Sequence, residues 1–326
     1  MEKDSKKMRT ILQFIGLLFT LIVSFLGILY ILNGDIFFSS MVAITMVVLV
    51  YFLIDQMKER KIVITKNRFS SLSITLWVLY ILLAIPLTFL LVHAMTVEIL
   101  AKKDIQGKAN DKVTIAETMI SSYDNQVNKY LQGEFQPVLA QNLGQYVLNH
   151  SNYTALNILQ SKPYNLPESD LNSIRSNEVS QYIDKCVVVM RKNFDKAEIE
   201  AKNRIEEFNE RYGHVFDNWS RLRLNIAFSE LDKLIDENFQ SLYAGFKKYN
   251  HVQGASFKFK YAKVEPLMNN PRKLWKSYNP VLLIIASILF HILILLPYFL
   301  EPLPGHFRKP VDFDTTEASN GGFELK

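Results

Sequence analysis

ILQFIGLLFTLIVSFLGILYIL (residues 11–32) and IFFSSMVAITMVVLVYFLI (residues 36–54) are the two neighbouring stretches that decide the fold. Neither contains a charged side chain. A helix needs about 20 apolar residues to cross a hydrocarbon core of roughly 30 Å, where no water can satisfy a backbone group. Only Asn33, Gly34 and Asp35 separate the two stretches. The sequence therefore predicts a transmembrane helical hairpin over residues 11–54.

Two more uncharged stretches are long enough to cross a membrane. The third span runs from Phe69 to Val97 and contains Pro86, and the fourth runs from Pro280 to Leu300. The third is longer than one perpendicular crossing requires, so we expect it to project beyond the bilayer. The predicted fold class is a membrane all-α protein with four transmembrane helices and a mostly helical extramembrane domain, residues 98–279, between the third and fourth.

The first span could instead be a cleaved signal peptide, because four basic residues precede it within residues 1–10. Its length and the lack of a small-residue cleavage site favour a retained helix. We therefore treat residues 1–10 as an N-terminal segment that stays attached to the first span.

Basic residues in the short loops predict the orientation, because cytoplasmic loops carry an excess of Lys and Arg. Residues 1–10 contain four of them, the loop at residues 55–68 contains five, and the turn at residues 33–35 contains none. Both termini are then cytoplasmic and residues 98–279 extracytoplasmic, in a multi-pass protein of the inner (plasma) membrane. Five basic residues flank the domain on the side assigned as external and oppose this orientation: Lys102, Lys103, Arg272, Lys273 and Lys276. They carry less weight, because long translocated domains follow the rule weakly.

Three segments of residues 98–279 place apolar side chains three and four residues apart, the spacing of an amphipathic helix. Such stripes pack either within one bundle or against another subunit, and the sequence leaves both open. The members are Val113, Ala116, Ile120, Tyr123, Val127 and Leu131; then Ile183, Val187, Met190, Phe194, Ala197, Ala201, Ile205 and Phe208; then Leu224, Phe228, Leu231, Ile235, Leu242 and Phe246.

One short segment, SFKFKYAKV at residues 256–264, alternates apolar and basic side chains as a half-buried strand does. A lone strand is not stable. The pattern predicts that it pairs either with a second strand of the chain or with the sheet edge of a partner.

Residues 301–326 follow the fourth span and are rich in proline and small polar residues, so we expect an extended cytoplasmic tail. Apolar side chains occur at intervals along it, as in peptides that order on a partner's surface. The candidate partner-binding residues are Phe307, Val311, Phe313 and Phe323. The alternative is a solvated tail without a partner.

None of the four spans contains Asp, Glu, Lys or Arg, so His93 and His291 are their ionisable residues. Ionisable groups within a bilayer often mark proton relays or ligand sites. The alternative is structural, because a histidine can also bond a neighbouring helix or lie near the headgroups.

The chemistry of the chain points away from catalysis. The single cysteine, Cys186, excludes an intramolecular disulfide and a zinc site built on paired cysteines, and we expect it to act as a small buried apolar residue. No phosphate-binding loop or hydrolase motif occurs. The net charge of +5 lies largely beside the spans, which argues against nucleic-acid binding. We predict no enzyme activity, catalytic residue, cofactor or metal.

Three functions fit these features. The first is a scaffold subunit of a membrane complex, and it predicts other envelope proteins as partners and a homo-oligomer in membrane lipid. The second is an extracytoplasmic sensor, which needs a separate output partner because residues 301–326 leave no room for a signalling module. The third is an oligomeric pore lined by hydroxyl side chains, namely Thr20, Ser24, Ser39, Ser40, Thr45, Thr75 and Thr88; these hydroxyls can equally serve as hydrogen bonds between helices.

The layout of hairpin, long third span, helical insert, returning span and short tail resembles the TssN family, inner-membrane proteins of a variant type VI secretion system. The resemblance covers most of the chain. It implies a multi-copy membrane complex with the family partners TssO, TssP, TssQ and TssR, in support of a contractile injection apparatus.

Overall fold

The computed structural model describes residues 2–63, 71–252, 255–261 and 267–300. Helix makes up 85% of these residues and no strand occurs among them, which confirms the predicted all-α class. Contacts divide the chain into two compact units. The membrane unit comprises the described residues of Met1–Leu29, Asp35–Glu98 and Trp275–Lys326, and the helical unit comprises those of Tyr30–Gly34 and Ile99–Leu274.

Four helices are long and apolar enough to cross a membrane, as predicted. The length and composition of these helices make the chain a multi-pass membrane protein. They are α1 (Glu2–Ile31), α2 (Ile36–Val63), α3 (Ser71–Met95) and α12 (Val281–Phe299). Pro86 lies inside α3 and does not end it.

The turn between α1 and α2 occupies the residues that separate the two apolar stretches. Asn33 and Gly34 have φ angles of 54° and 86°, a left-handed conformation that glycine and asparagine tolerate best. Asp35 then caps α2, because its Oδ1 accepts from the backbone N–H of Phe38 at 2.9 Å. This tight turn leaves no room for a longer loop between the two helices.

Small residues let the helices of the membrane unit approach closely. A Cβ atom added at Gly27 of α1 would lie 2.5 Å from the carbonyl oxygen of Leu90 in α3, and one at Gly16 would lie 3.2 Å from Ile294 in α12. Glycine at such positions is typical of membrane helix contacts. All four helices contribute to one buried cluster: Leu17, Val50, Ile54, Met57, Tyr80, Leu87, Ile294 and Leu295.

The helical backbone continues without a break from Leu72 to Leu148, well past the predicted end of the third span at Val97. Two π turns, Thr96–Ala101 and Leu131–Phe135, join α3 to α4 (Lys102–Tyr130) and α4 to α5 (Gln136–Leu148). No proline, glycine or capping residue stands near Val97 to stop the helix. The chain therefore enters the helical unit as helix.

The helical unit is built around α4, α8 (Val179–Phe208) and α10 (Leu224–Tyr249), which contact one another along their lengths. The predicted apolar stripes on these helices are buried within the chain, except that Val113 and Val187 are only half-buried. An intramolecular core, rather than a second subunit, therefore covers them. The remaining α-helices in the described part of the chain are α6 (Tyr153–Gln160), α7 (Glu168–Ser173), α9 (His214–Asp217) and α11 (Pro271–Ser277).

The prediction of a strand at residues 256–264 is wrong for residues 256–261; residues 262–264 lie outside the described part of the chain. The predicted alternation of buried apolar and exposed basic side chains is still present, because Phe257 is buried while Lys258 and Lys260 are exposed. The side chain of Gln126 replaces a partner strand. Its Oε1 accepts from the N–H of Lys258 at 3.0 Å, and its Nε2 donates to the carbonyl of Lys258 at 3.0 Å.

Candidate functional site

His291 lies between the third and fourth spans, within reach of two hydroxyl groups on α3. Its Nδ1 is 3.2 Å from the Tyr80 hydroxyl, and its Nε2 is 3.0 Å from the Thr88 hydroxyl. A neutral imidazole offers one donor and one acceptor, and each hydroxyl can play either part. Both ring nitrogens are therefore satisfied without a charge. The arrangement joins α12 to α3 and forms a short path of exchangeable protons.

His93 lies near the end of α3 and is fully buried. Its ring stacks on Phe89, with centroids 6.4 Å apart and an interplanar angle of 13°. Phe89 in turn contacts the edge of Trp275 at 5.0 Å. The structure thus places His93 and His291 in separate surroundings, one aromatic and one hydroxyl-lined.

An aromatic and cationic cluster lies at the C-terminal end of α12. Lys61 Nζ donates to the carbonyls of Tyr298 and Phe299 at 2.7 Å and 3.2 Å, and lies 4.9 Å from the centre of the Tyr298 ring. A lysine there adds a donor to the last carbonyls of the helix and complements the helix dipole. Trp77 packs against Tyr298 at 5.6 Å, as tryptophan and tyrosine do at membrane interfaces.

The hydroxyls considered as a pore lining are engaged within their own helices at three positions. Thr20, Ser40 and Thr45 donate to the carbonyl four residues earlier, at 2.8, 2.7 and 2.8 Å. Thr88 differs because it contacts His291 on another helix. These bonds satisfy the hydroxyls without water.

The tail residues Phe307, Val311, Phe313 and Phe323 lie outside the described part of the chain. Partner binding by the tail stays a prediction.

A charged network joins α8 to α4 in the helical unit. Arg191 donates to Asp124 at 2.5 Å, to Asp195 at 2.6 Å and to Glu198 at 2.9 Å, and Lys202 donates to Glu198 at 2.8 Å. Burial disfavours the charge of Arg191, but the hydrogen bond to Asp124 and the surrounding carboxylates outweigh it, so its pKa is raised. The network holds two core helices in one register.

Lys112 joins α4 to α10 and has only 1% of its side chain exposed. It forms an ion pair with Asp232, and its ammonium lies 5.6 Å from the ring centre of Phe228. Sequence reasoning missed this pair, although a signal existed. Lys112 precedes Ala116 by four residues and therefore lies on the apolar stripe of α4, where a lysine needs a partner.

A cavity of about 390 Å³ lies in the helical unit between α8 and the segment that follows α6. Burial raises the pKa of Tyr164 to about 12 and also raises that of the Cys186 thiol, so both stay neutral at physiological pH. Cys186 is half-buried, whereas the sequence predicted a buried residue. The lining residues are Phe135, Pro163, Tyr164, Asn165, Leu166, Tyr182, Lys185, Cys186, Val189, Met190 and Asn193.

Comparisons with known proteins found no matching family model, no matching curated protein and no matching solved structure. Within the described ranges, no group of three or more His, Cys, Asp or Glu side chains could hold a metal ion.

Proposed function

We propose that the chain is a non-enzymatic scaffold subunit of a multi-protein membrane complex, in the manner of the TssN-like proteins that its layout resembles. The observation that carries this proposal is that buried or half-buried cations of the helical unit pair with carboxylates on neighbouring helices. Arg191 and Lys112 form ion pairs that join one helix to another. Such pairs give a domain one fixed arrangement, which is what a docking platform needs.

Exposed apolar residues on α8 give this platform a contact surface. Val188 and Val189 are 53% and 60% exposed, although they lie on a helix whose opposite face forms the core. Exposed apolar side chains with polar neighbours are available for contact with another protein, as the larger apolar patches of interfaces are. We therefore propose α8 as the face that binds other envelope proteins, which the resemblance to TssN implies are TssO, TssP, TssQ and TssR.

Purification of the full chain in mild detergent, with unbiased identification of what accompanies it, tests this function. We expect a fixed set of envelope proteins to accompany the wild-type chain and to be lost from Val188→Arg, because Val188 is exposed and does not line the cavity beside Cys186. Leu148→Arg is the control, because Leu148 is 84% exposed at the end of α5. A homo-oligomer without such proteins that passes ions in liposomes would contradict the scaffold and favour a pore.

A sensor is the second candidate, and the cavity beside Cys186 favours it. A volume of about 390 Å³ falls in the range of small-molecule sites, and Tyr164, Tyr182 and Met190 give it an apolar lining. Native mass spectrometry tests this function. A bound small molecule that is present in the wild-type chain and in Cys186→Ser, but absent from Cys186→Phe, supports a sensor.

We also propose that the helical unit is extracytoplasmic and that both termini are cytoplasmic. Burial raises the pKa of Cys186, so its thiol forms little thiolate and labels slowly. Leu148→Cys in a Cys186→Ser background supplies an exposed thiol instead. We expect an impermeant maleimide to label it in cells once the outer envelope is opened. Labelling only after lysis of the inner membrane would reverse the orientation.

A further inference from the structure

A second cavity of the helical unit, of about 200 Å³, lies between the C-terminal part of α8, the π turn Asn209–Gly213 and α10. Charged side chains of both signs line it, namely the cations Arg204, Arg211 and Lys233 and the carboxylates Glu207, Glu230 and Glu237. Phe208 and Leu234, each only 6% exposed, add an apolar wall. None of these residues lines the cavity beside Cys186, so the two cavities are separate.

Arg204 is held in one orientation at this cavity. Its Nε donates to Oδ1 of Asn238 at 2.8 Å, and the fully buried Asn238 donates in turn to the carbonyl of Ala201 at 3.3 Å. The Nη2 atom of Arg204 is also buried, but it has no hydrogen-bond partner among the residues that the structure describes. Native proteins leave few buried donors without an acceptor. This nitrogen therefore needs an acceptor from outside the chain.

The carboxylates of the cavity do not supply that acceptor. Glu207 lies three residues after Arg204, a spacing at which helix side chains are neighbours, yet Nη2 is left without a partner. Lys233 and Glu237 are 3.9 Å apart and are 63% and 51% exposed, so their ion pair is weak. The cavity thus offers charges of both signs to a ligand.

We propose that this cavity binds a free α-amino acid with an apolar side chain. Because Nε of Arg204 is engaged, its two terminal nitrogens are left to form paired hydrogen bonds with the carboxylate of the ligand. Glu207 accepts from the ammonium group, and the apolar side chain contacts Phe208 and Leu234.

The charge and the size of the cavity both favour this class of ligand. A plain anion would meet three carboxylates and a plain cation would meet three cations, so the lining suits a molecule that carries one charge of each sign. The volume of about 200 Å³ lies below the roughly 300 to 1,000 Å³ of sites for drug-sized molecules, which indicates a smaller ligand.

Isothermal titration calorimetry of the full chain in detergent tests the site with L-alanine, L-valine, L-leucine, L-methionine and L-phenylalanine. We expect at least one of them to bind with a Kd below about 1 mM. If none binds, water satisfies Arg204 and the proposal is overturned. Because the chain is titrated alone, this result does not depend on whether the chain is a scaffold.

Analogues that lack one charge test how the ligand is recognised. For leucine, 4-methylpentanoate lacks the ammonium group and 3-methylbutylamine lacks the carboxylate. We expect each analogue of the amino acid that binds best to bind about tenfold more weakly or less, since each loses charged hydrogen bonds. An analogue that binds as well as the amino acid would refute recognition of both charges.

Variants test which cavity holds the ligand. Arg204→Met should weaken binding about tenfold or more, and so should Glu207→Gln, which changes an exposed side chain and leaves the core intact. Lys192→Met, at an exposed lysine of α8 that lines neither cavity, is the matched control. Cys186→Phe, which fills the other cavity, should also leave the Kd unchanged.

Circular dichroism checks that each variant is folded. Unchanged binding in Glu207→Gln and in a folded Arg204→Met would overturn the proposal. So would loss of binding in a folded Cys186→Phe, because it would place the ligand in the other cavity.

Discussion

Inside its four uncharged spans the membrane unit uses neutral polar side chains, whereas the helical unit uses charged ones in its core. In the membrane unit, Thr20 and Thr45 bond to the backbone of their own helices, and His291 is satisfied by two neutral hydroxyls. In the helical unit, Lys112 and Arg191 are charged and reach across to another helix. A bilayer makes an ion pair expensive, whereas a domain in water can solvate one partner and bury the other.

The packing of the two units differs for the same reason. Apolar residues such as Phe37 and Leu282 are 79% and 80% exposed in the membrane unit, where lipid can cover them. Burying apolar surface gives little advantage there, so close backbone approach at Gly27 holds the helices together. In the helical unit, α4, α8 and α10 bury aromatic and aliphatic stripes instead. The comparison predicts that removing a charge destabilises the helical unit most. Adding side-chain volume at a helix contact should destabilise the membrane unit most.

Loss of the Lys112 partner should have the largest effect. Asp232→Ala leaves an ammonium that is 1% exposed without its carboxylate, and we expect the free energy of unfolding to fall by about 2 to 3 kcal/mol. Chemical denaturation in detergent, followed by circular dichroism, measures the change.

Two controls separate this ion pair from general effects of the substitution. Lys112→Met keeps most of the volume and leaves Asp232, which is 51% exposed, in contact with water, so we expect a loss below about 1 kcal/mol. Glu237→Ala removes an exposed partner of Lys233 on the same helix and should be neutral. Equal losses for Asp232→Ala and Glu237→Ala would show that burial of Lys112 is unimportant.

Added volume at Gly27 should have the next largest effect. A methyl group there would lie 2.5 Å from a backbone oxygen of α3, so α1 must move, and we expect Gly27→Ala to cost about 2 kcal/mol. Gly144→Ala is the control, because no atom of another residue lies within 4 Å of its added Cβ. Alanine in that helix should stabilise the chain by about 0.5 kcal/mol. Thermal unfolding in detergent compares the variants, and similar melting temperatures would contradict the close approach.

Sequence periodicity predicted the elements well because burial follows spacing. Four long stretches without charged residues indicated the four spans. Apolar residues spaced three and four positions apart indicated which faces of α4, α8 and α10 are buried. The partners of polar groups were not predictable in this way. Nothing in the sequence near Lys258 indicates that Gln126, 132 residues away, replaces a strand, and nothing near His291 indicates Thr88. Those contacts depend on how separate helices meet.

Gln126→Ala tests the contact that replaces the strand. It removes two hydrogen bonds to the backbone of Lys258, and we expect residues 255–261 to open more easily by about 1 kcal/mol. Amide hydrogen exchange measured by mass spectrometry should be faster in that segment only. Asn125→Ala, at the exposed neighbouring position, is the control. Unchanged exchange at residues 255–261 would show that Phe257 alone holds the segment.

Thr88→Val tests the polar contact of the membrane unit and should have a smaller effect. Hydrogen bonds between membrane helices contribute about 0.6 kcal/mol on average, and valine retains the shape of threonine. Thr45→Val is the matched control because its hydroxyl bonds only to its own helix, at the carbonyl of Met41. A loss at Thr88 without a loss at Thr45 would place the stabilisation between α3 and α12. Equal melting temperatures for the two variants would contradict it.

The smallest effect is expected from Tyr261→Phe, which removes a neutral phenol hydroxyl that bonds to a carboxylate of the helical unit. Burial raises the pKa of Tyr261 to about 12, and its hydrogen bond to Asp236, at 2.7 Å, adds to the shift. The folded pKa lies above that of the unfolded chain, so this stabilisation is complete below about pH 10 and is lost as the pH rises to about 12. We expect the variant to lose about 0.5 kcal/mol at neutral pH. In alkali we expect this difference to close and then reverse, because ionisation of the phenol costs the folded wild-type chain more than that. Tyr153→Phe, at a side chain that is 71% exposed, should follow the wild-type chain throughout. A gap between Tyr261→Phe and the wild-type chain that does not narrow above about pH 10 would mean that packing of the ring, rather than the hydroxyl bond, accounts for the loss.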